Sequence, residues 1–155
     1  MKKLAAMLML ATALVAPGVA MARDVTIQAQ VVRYSGNAAY LAVYLTDSSG
    51  VYQRTLWVSG RKMRYLGEMR GWAAGASRDS ALTFDGISGA SVGGGQTLTV
   101  HADLADSLID AGYQIHVDSA VENGGVYSND AVIGLASTPS TVAGTGYVGT
   151  LSVNM

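Results

Sequence analysis

Apolar and polar residues alternate with a period of two along much of this chain. In VTIQAQVVRY (25–34), Val25, Ile27, Ala29 and Val31 are separated by polar residues, the pattern of a strand with one face buried. A Ser-Gly-Asn turn at 35–37 leads into AAYLAVYLTD (38–47), rich in aromatic and β-branched residues, which closes on a second turn signal, DSSG. VYQRTLWV (51–58) reads as the returning strand of a hairpin over 38–58. Its tyrosines and Trp57 supply much of the core contact area.

The alternation stops at GRKMRYLGEMRGWAAGAS (60–77). Met63, Leu66, Met69 or Arg70, and Trp72 recur at helical spacing and predict one short helix over 61–70, crossing from one sheet to another and weakened by Gly67 and Gly71. ALTF (81–84) predicts a short strand and QTLTVHADL (96–104) a clear one. After Ala111-Gly112, Tyr113, Ile115 and Val117 alternate on one face, as in immunoglobulin-like sandwiches, where a tyrosine hydroxyl pins a corner. DAVIGLA (130–136) and GYVGTLSVN (146–154), separated by a Ser/Thr/Gly stretch, complete the set. Short strands, regular turns and one crossover helix predict an all-β fold, a β-sandwich of immunoglobulin or fibronectin type. With no internal repeat and no linker, 23–155 reads as one domain with one core.

Ahead of that domain, Lys2 and Lys3 precede an uncharged, mostly apolar run, a Pro17-Gly18 break, and Ala20-Met21-Ala22. These are the parts of a secretory signal peptide, 1–22, cut after Ala22. The run is short for a bilayer span of about 20 residues, so a periplasmic chain with no membrane insertion after cleavage is expected. The absence of cysteine excludes disulfides, iron–sulfur clusters and thiolate metal sites. A net charge of −1 argues against nucleic acid as a partner. The distribution is uneven: every basic residue lies at or before Arg78, and most acidic ones follow. That asymmetry either pairs two halves of one fold or makes a positive face that attracts anions.

No HExxH, P-loop, GxSxG elbow or dinucleotide fingerprint occurs. His101-Ala102-Asp103 and His116-Val117-Asp118 match in context. If their strands pair, two histidines and two carboxylates share a face suited to zinc or iron; otherwise they are ordinary outward polar positions. Trp57 and Trp72 are either stacking surfaces for a planar ligand or core residues. Arg61, Lys62 and Arg64 are either an anion site or a solvated helix face.

The remaining stretch is DGISGASVGGG (85–95), which holds more glycine and small hydroxyl residues than a turn requires. Asp85-Gly86-Ile87-Ser88-Gly89-Ala90-Ser91 fits Asp-x-x-(Ser/Thr)-Gly-Ala-(Ser/Thr) and resembles the acceptor motif at which periplasmic flavin transferases attach FMN. The resemblance implies FMN on Ser91 through a phosphoester, with Asp85, Ser88, Gly89 and Ala90 completing the recognition sequence. The usual acceptor is threonine. Gly89 and Ala90 let the backbone approach closely, a primary hydroxyl supplies the nucleophilic oxygen, and Gly93 to Gly95 suit a segment that moves. An ordinary glycine-rich turn is the competing reading.

Taken together, YLAVYLTDSSGVYQRTLWVSGRKMRYLGEMRGW, DGISGASVGGGQTLTVHADLADSLIDAGYQIHVDSAVENGG and GTGYVGTLSV resemble the predicted periplasmic proteins called domain of unknown function 2271 (DUF2271). The resemblance covers nearly all of 23–155 and carries no established catalytic residues. It implies a non-enzymatic electron carrier whose partners are a periplasmic flavin transferase and a PepSY-type membrane reductase, acting in reduction of iron or iron chelates. The alternative is a non-redox module that binds a metal, an iron chelate or a partner protein.

Overall fold

The structure, a computed structural model, describes residues 20–155; positions 1–19 of the expected signal peptide lie outside them. In chain order the elements are β1 (Ala22–Val31), β2 (Ala39–Thr46), β3 (Tyr52–Ser59), α1 (Met63–Glu68), α2 (Arg70–Ala76), β4 (Ser88–Gly89), β5 (Thr97–Ala105), a short 3₁₀ turn (Asp106–Leu108), β6 (Gln114–Val121), β7 (Val126–Gly134), β8 (Ser140–Ala143) and β9 (Val148–Asn154). The strands form two sheets, in the orders β5-β1-β9-β8 and β4-β3-β2-β6-β7. The fold is all-β, a two-sheet sandwich with little helix.

The alternation in β1 does what its period requires. Val25, Ile27, Ala29 and Val31 face inward and meet Leu41, Val43, Leu45, Ile115 and Val117 of the opposite sheet. Packing of these apolar faces removes both from water, which is the main favourable term for a domain without cross-links.

The five-stranded sheet is buried on both faces. All eight positions of β2 are buried. On its outer side Tyr40, Ala42 and Tyr44 pack against Leu66, Met69, Trp72 and Ala76 of the helical segment. The single helix expected over 61–70 is two short helices that break at Met69, where ψ is 77°. The Met69 side chain is fully buried, so the break is fixed by outer-core packing rather than by a loop residue. Nor does this segment cross between sheets. It returns to the same sheet as β4, parallel to β3. Residues 81–84, expected as a strand, form none; the two-residue β4 falls instead within the 85–95 stretch read as a loop, and β8 occupies the Ser/Thr/Gly stretch that carried no strand expectation.

Covering the outer face deprives polar groups of water, and two carboxylates answer that requirement. Asp118 is fully buried. It accepts hydrogen bonds from the Tyr44 hydroxyl (3.0 Å), the Trp72 N–H (2.8 Å) and the Asn129 N–H (2.8 Å). It stands where the β6–β7 register shifts between Val117 and Ser119, opposite Asn129 with φ 53°. One carboxylate thus fastens a bulge and the first turn of α2, which has no side-chain cap of its own. Gly71 is part of that joint, because a Cβ there would lie 2.7 Å from both Asp118 Oδ2 and the Tyr44 hydroxyl.

Asp130 serves the opposite side of the same strand pair. It accepts from the N–H groups of Thr145 (2.8 Å), Gly146 (2.7 Å) and Val148 (2.9 Å), and from the Ser119 hydroxyl. This clasps β7 to the turn that enters β9, and so joins one sheet to the other.

Two predictions follow from these contacts. Replacing Asp130 with alanine leaves the Gly146 and Val148 N–H groups and the Ser119 hydroxyl without their acceptor, while the Thr145 N–H keeps the Asp130 carbonyl (2.8 Å), and stability is expected to fall by about 3 kcal/mol. Urea unfolding reads this as a lower midpoint at unchanged slope, with Asp130→Asn intermediate because one acceptor oxygen remains. An unshifted midpoint in the alanine variant would refute the clasp. The second concerns Glu122, which accepts from Lys62 Nζ (2.8 Å) and from the Tyr40 hydroxyl (2.8 Å). The Lys62 ammonium, then Tyr40, hold the Glu122 carboxyl below its usual range, and Glu122 raises Lys62. The pair's contribution is therefore lost as pH falls through the depressed Glu122 value, and at the other end as pH rises through the raised Lys62 value. In Lys62→Met the Glu122 carboxyl carbon, followed by NMR, is expected to titrate at higher pH than in the parent. The variant's stability deficit is expected to disappear once Glu122 is protonated in both states.

Candidate functional site

Ser88 and Gly89 form the short edge strand β4 beside Val58 and Ser59. The Val58 N–H donates to the Ile87 carbonyl (2.9 Å) and the Gly60 N–H to the Gly89 carbonyl (2.9 Å). Val92 then exchanges two backbone bonds with Ala39, at 2.7 and 2.8 Å. Ala90 and Ser91 occupy the short span between these anchors. Ser91 is half-buried, and its hydroxyl has no hydrogen-bond partner among the described residues. Asp85 and Ala90 are exposed, and the Ser88 hydroxyl donates to the Phe84 carbonyl (2.9 Å). Gly89 rests on Trp57: a Cβ there would lie 2.8 Å from the indole ring. The stretch that composition suggested was pliable is held at both ends, and one of its glycines is required by packing.

Trp57 is half-buried and donates from Nε1 to the Ser59 hydroxyl (3.1 Å), so one indole adjoins the motif. Trp72 belongs to the outer core, donating to the Thr55 hydroxyl (2.9 Å). The cluster expected at Arg61, Lys62 and Arg64 is the exposed side of α1 and its entry, with Lys62 engaged by Glu122 and Arg64 at 3.9 Å from Glu68.

The two histidine motifs do not share a face. β5 pairs with β1 in one sheet, whereas β6 lies between β2 and β7 in the other. His101 is exposed beside Thr26 (3.3 Å) and Asp24 (3.6 Å). His116 is buried under the helices, with Nδ1 at 2.8 Å from Asn129 Oδ1 and Nε2 at 3.2 Å from Gln114 Oε1. Among the described residues no three His, Cys, Asp or Glu side chains gather closely enough to hold a metal ion.

A feature that strand and motif reading did not anticipate lies further along the same hairpin. A cleft of about 710 Å³ opens between α2 and the sheet, lined by Tyr44, Tyr52, Arg70, Arg78, His116 and Asn129 among others. Tyr44 sits 5.3 Å from His116 and 6.2 Å from Tyr52, ring centre to ring centre. Burial, then the Asp118 charge, pushes the Tyr44 hydroxyl far above its ordinary pKa; burial likewise raises Tyr52. Both therefore act as neutral hydroxyls, with Tyr52 donating to Asp79 (2.9 Å), and neither supplies a tyrosinate base. Arg70 and Arg78 have no carboxylate within ion-pair distance among the described residues. Tyr44 in the cleft lies five positions along β2 from Ala39, beside the Ser91 span, or about 17 Å of strand. The one sequence signal for this site was the concentration of basic residues before Asp79.

No curated protein and no solved structure matches the chain. No helix among the described residues is long and apolar enough to cross a membrane. A family model described as "Predicted periplasmic protein (DUF2271)" matches residues 22–150, a span that takes in both sheets and both helices. The chain belongs to DUF2271, a family of predicted periplasmic proteins.

Proposed function

We propose that this protein is a periplasmic electron carrier with FMN esterified to Ser91. The observation that supports the reading is the uncommitted hydroxyl of the half-buried Ser91, at the end of a heptad that fits the acceptor pattern. A periplasmic flavin transferase would supply FAD. The Ser91 oxygen attacks the phosphorus on the riboflavin side, the P–O–P anhydride breaks, AMP leaves, and the serine proton passes to a base of the transferase. Asp85, Ser88, Gly89 and Ala90 serve as the recognised surface. Once attached, the isoalloxazine ring carries the redox chemistry, and this fold contributes position and shielding. Trp57 is the aromatic side chain placed to pack against it. A PepSY-type membrane reductase is the proposed donor, and iron or an iron chelate the proposed acceptor.

A second reading is favoured by a specific observation, the cleft beneath α2. A non-redox binding module would use that cleft and leave Ser91 unmodified.

Intact-mass spectrometry after co-expression with a flavin transferase encoded beside a DUF2271 gene separates the two. A mass gain equal to FMN less water is expected for the parent and for Ser91→Thr. None is expected for Ser91→Ala, which should unfold at the parent's urea midpoint. No gain in the parent, or a gain retained in Ser91→Ala, overturns the carrier.

A further inference from the structure

The cleft bounded by α2, the β2–β3 hairpin and β6–β7 carries a function of its own. We infer that it is a binding site for a flat ring bearing a phosphate or carboxylate, held non-covalently. This inference does not rest on modification of Ser91, which lies at the other end of the hairpin.

Three features of the cleft set the chemistry of its ligand. The first is size: at about 710 Å³ it is within the range of small-molecule sites, roughly 300–1,000 Å³. The second is the lining. Gly71, Ala74 and Gly75 recur at i, i+3 and i+4 on α2, and the helix packs closely on the rings behind it: a Cβ on Gly75 would collide with Tyr52, and one on Gly71 would lie 2.7 Å from the Tyr44 hydroxyl. Tyr44 and His116 are buried beneath, so the half-buried Tyr52 is the ring that the cleft offers as a stacking surface to a flat group.

The third feature is charge. Arg70 and Arg78 are exposed at the cleft, and neither is neutralised by a carboxylate among the described residues. Asp79, the acidic residue in the lining, is occupied by the Tyr52 hydroxyl through Oδ2 and by the Ala81 N–H (3.0 Å) through Oδ1. Two guanidinium groups thus remain available for an anion, the arrangement that bidentate recognition of phosphate or carboxylate uses. Arg70 and Arg78 are eight residues apart, about 12 Å if α2 were continued at helical rise. Their long side chains can converge on one anionic group or hold two.

The cleft is also held in shape without a ligand. Asp118 fixes the first turn of α2 against β6 and β7, and Tyr52 is tied to Thr55 (2.7 Å) as well as to Asp79. Little ordering is therefore required on binding, which favours affinity for a small ligand.

Isothermal titration calorimetry tests this on the mature chain produced without any flavin transferase. The probes are two acids, FMN and 2,3-dihydroxybenzoate, each set against its uncharged analogue, riboflavin and catechol. At least one acid is expected to bind about tenfold or more tightly than its analogue. Arg70→Gln with Arg78→Gln, both at exposed positions, is expected to remove that preference while the urea midpoint stays put. Amide shifts on binding are expected at Gly71, Ala74 and Gly75. Which acid binds distinguishes a phosphate from a carboxylate ligand. Failure of both acids to bind at millimolar concentration, equal binding of acid and analogue, or an unchanged preference in the double variant overturns the inference. None of these outcomes bears on whether Ser91 carries FMN.

Discussion

The structure depends on how two carboxylates are satisfied inside it. Asp118 and Asp130 lie on adjacent strands, are 0% and 1% exposed, and serve opposite sides of the five-stranded sheet. An ionised carboxylate taken out of water costs several kcal/mol unless its lone pairs are matched. Each is matched here by at least three donors, most of them backbone N–H groups. Those donors belong to different layers. Asp118 draws in the first turn of α2, and Asp130 draws in the chain that begins β9. Losing either carboxylate would leave donors from two layers unpaired, so these residues set the spacing between layers as well as adding stability.

The helical cover that makes Asp118 necessary also creates both candidate sites. Because α1 and α2 lie on the outer face of β2, β3 and β6, the chain leaving them comes back along the β3 edge and places the Asp85–Ser91 heptad there, with Ser88 and Gly89 as β4. At the other end of the same strands, α2 stands against Tyr52 and His116 and leaves the cleft between them. A sandwich whose second sheet was open to water would offer neither. The two sites are therefore linked through one structural cause while being chemically separate.

Much of the fold was legible in the sequence. β1, β5 and β9 alternate cleanly because one face of their sheet meets water, and their limits fall within a few residues of expectation. The β2–β3 hairpin was equally readable. What period-two reasoning did not reveal was the burial of both faces of β2 and β6. Its signal was the unbroken run AYLAVYLT, which lacks the polar positions an exposed face would carry. Missing that cover meant missing the roles of Gly71, His116 and Asp118, since a helix glycine and polar strand residues read as weak points or outward positions until something packs over them. The Asp85–Ser91 heptad could be singled out in the sequence because its residues are contiguous. The cleft could not, since Arg70, Arg78, Tyr52 and His116 come from α2, the turn after it, β3 and β6, and converge only once the chain is folded.

The held conformation of the acceptor segment bears on whether an enzyme can reach Ser91, and magnitudes decide the matter. Four backbone hydrogen bonds fasten it: Val58 to Ile87, Gly60 to Gly89, and the pair between Ala39 and Val92. At a net worth of roughly 0.5–1.5 kcal/mol each, releasing all four costs about 2–6 kcal/mol. At about 1.4 kcal/mol per factor of ten, the opened form is populated at roughly one in thirty to one in twenty thousand molecules. A reversible encounter that had to wait for such openings would be slow at every turnover. The proposed covalent modification would need only one of them in the lifetime of the molecule, after which the segment would close again on β3. An edge strand that is short, small in side chain and fastened by few bonds thus suits a site modified once and used many times better than either a buried serine or a free loop would.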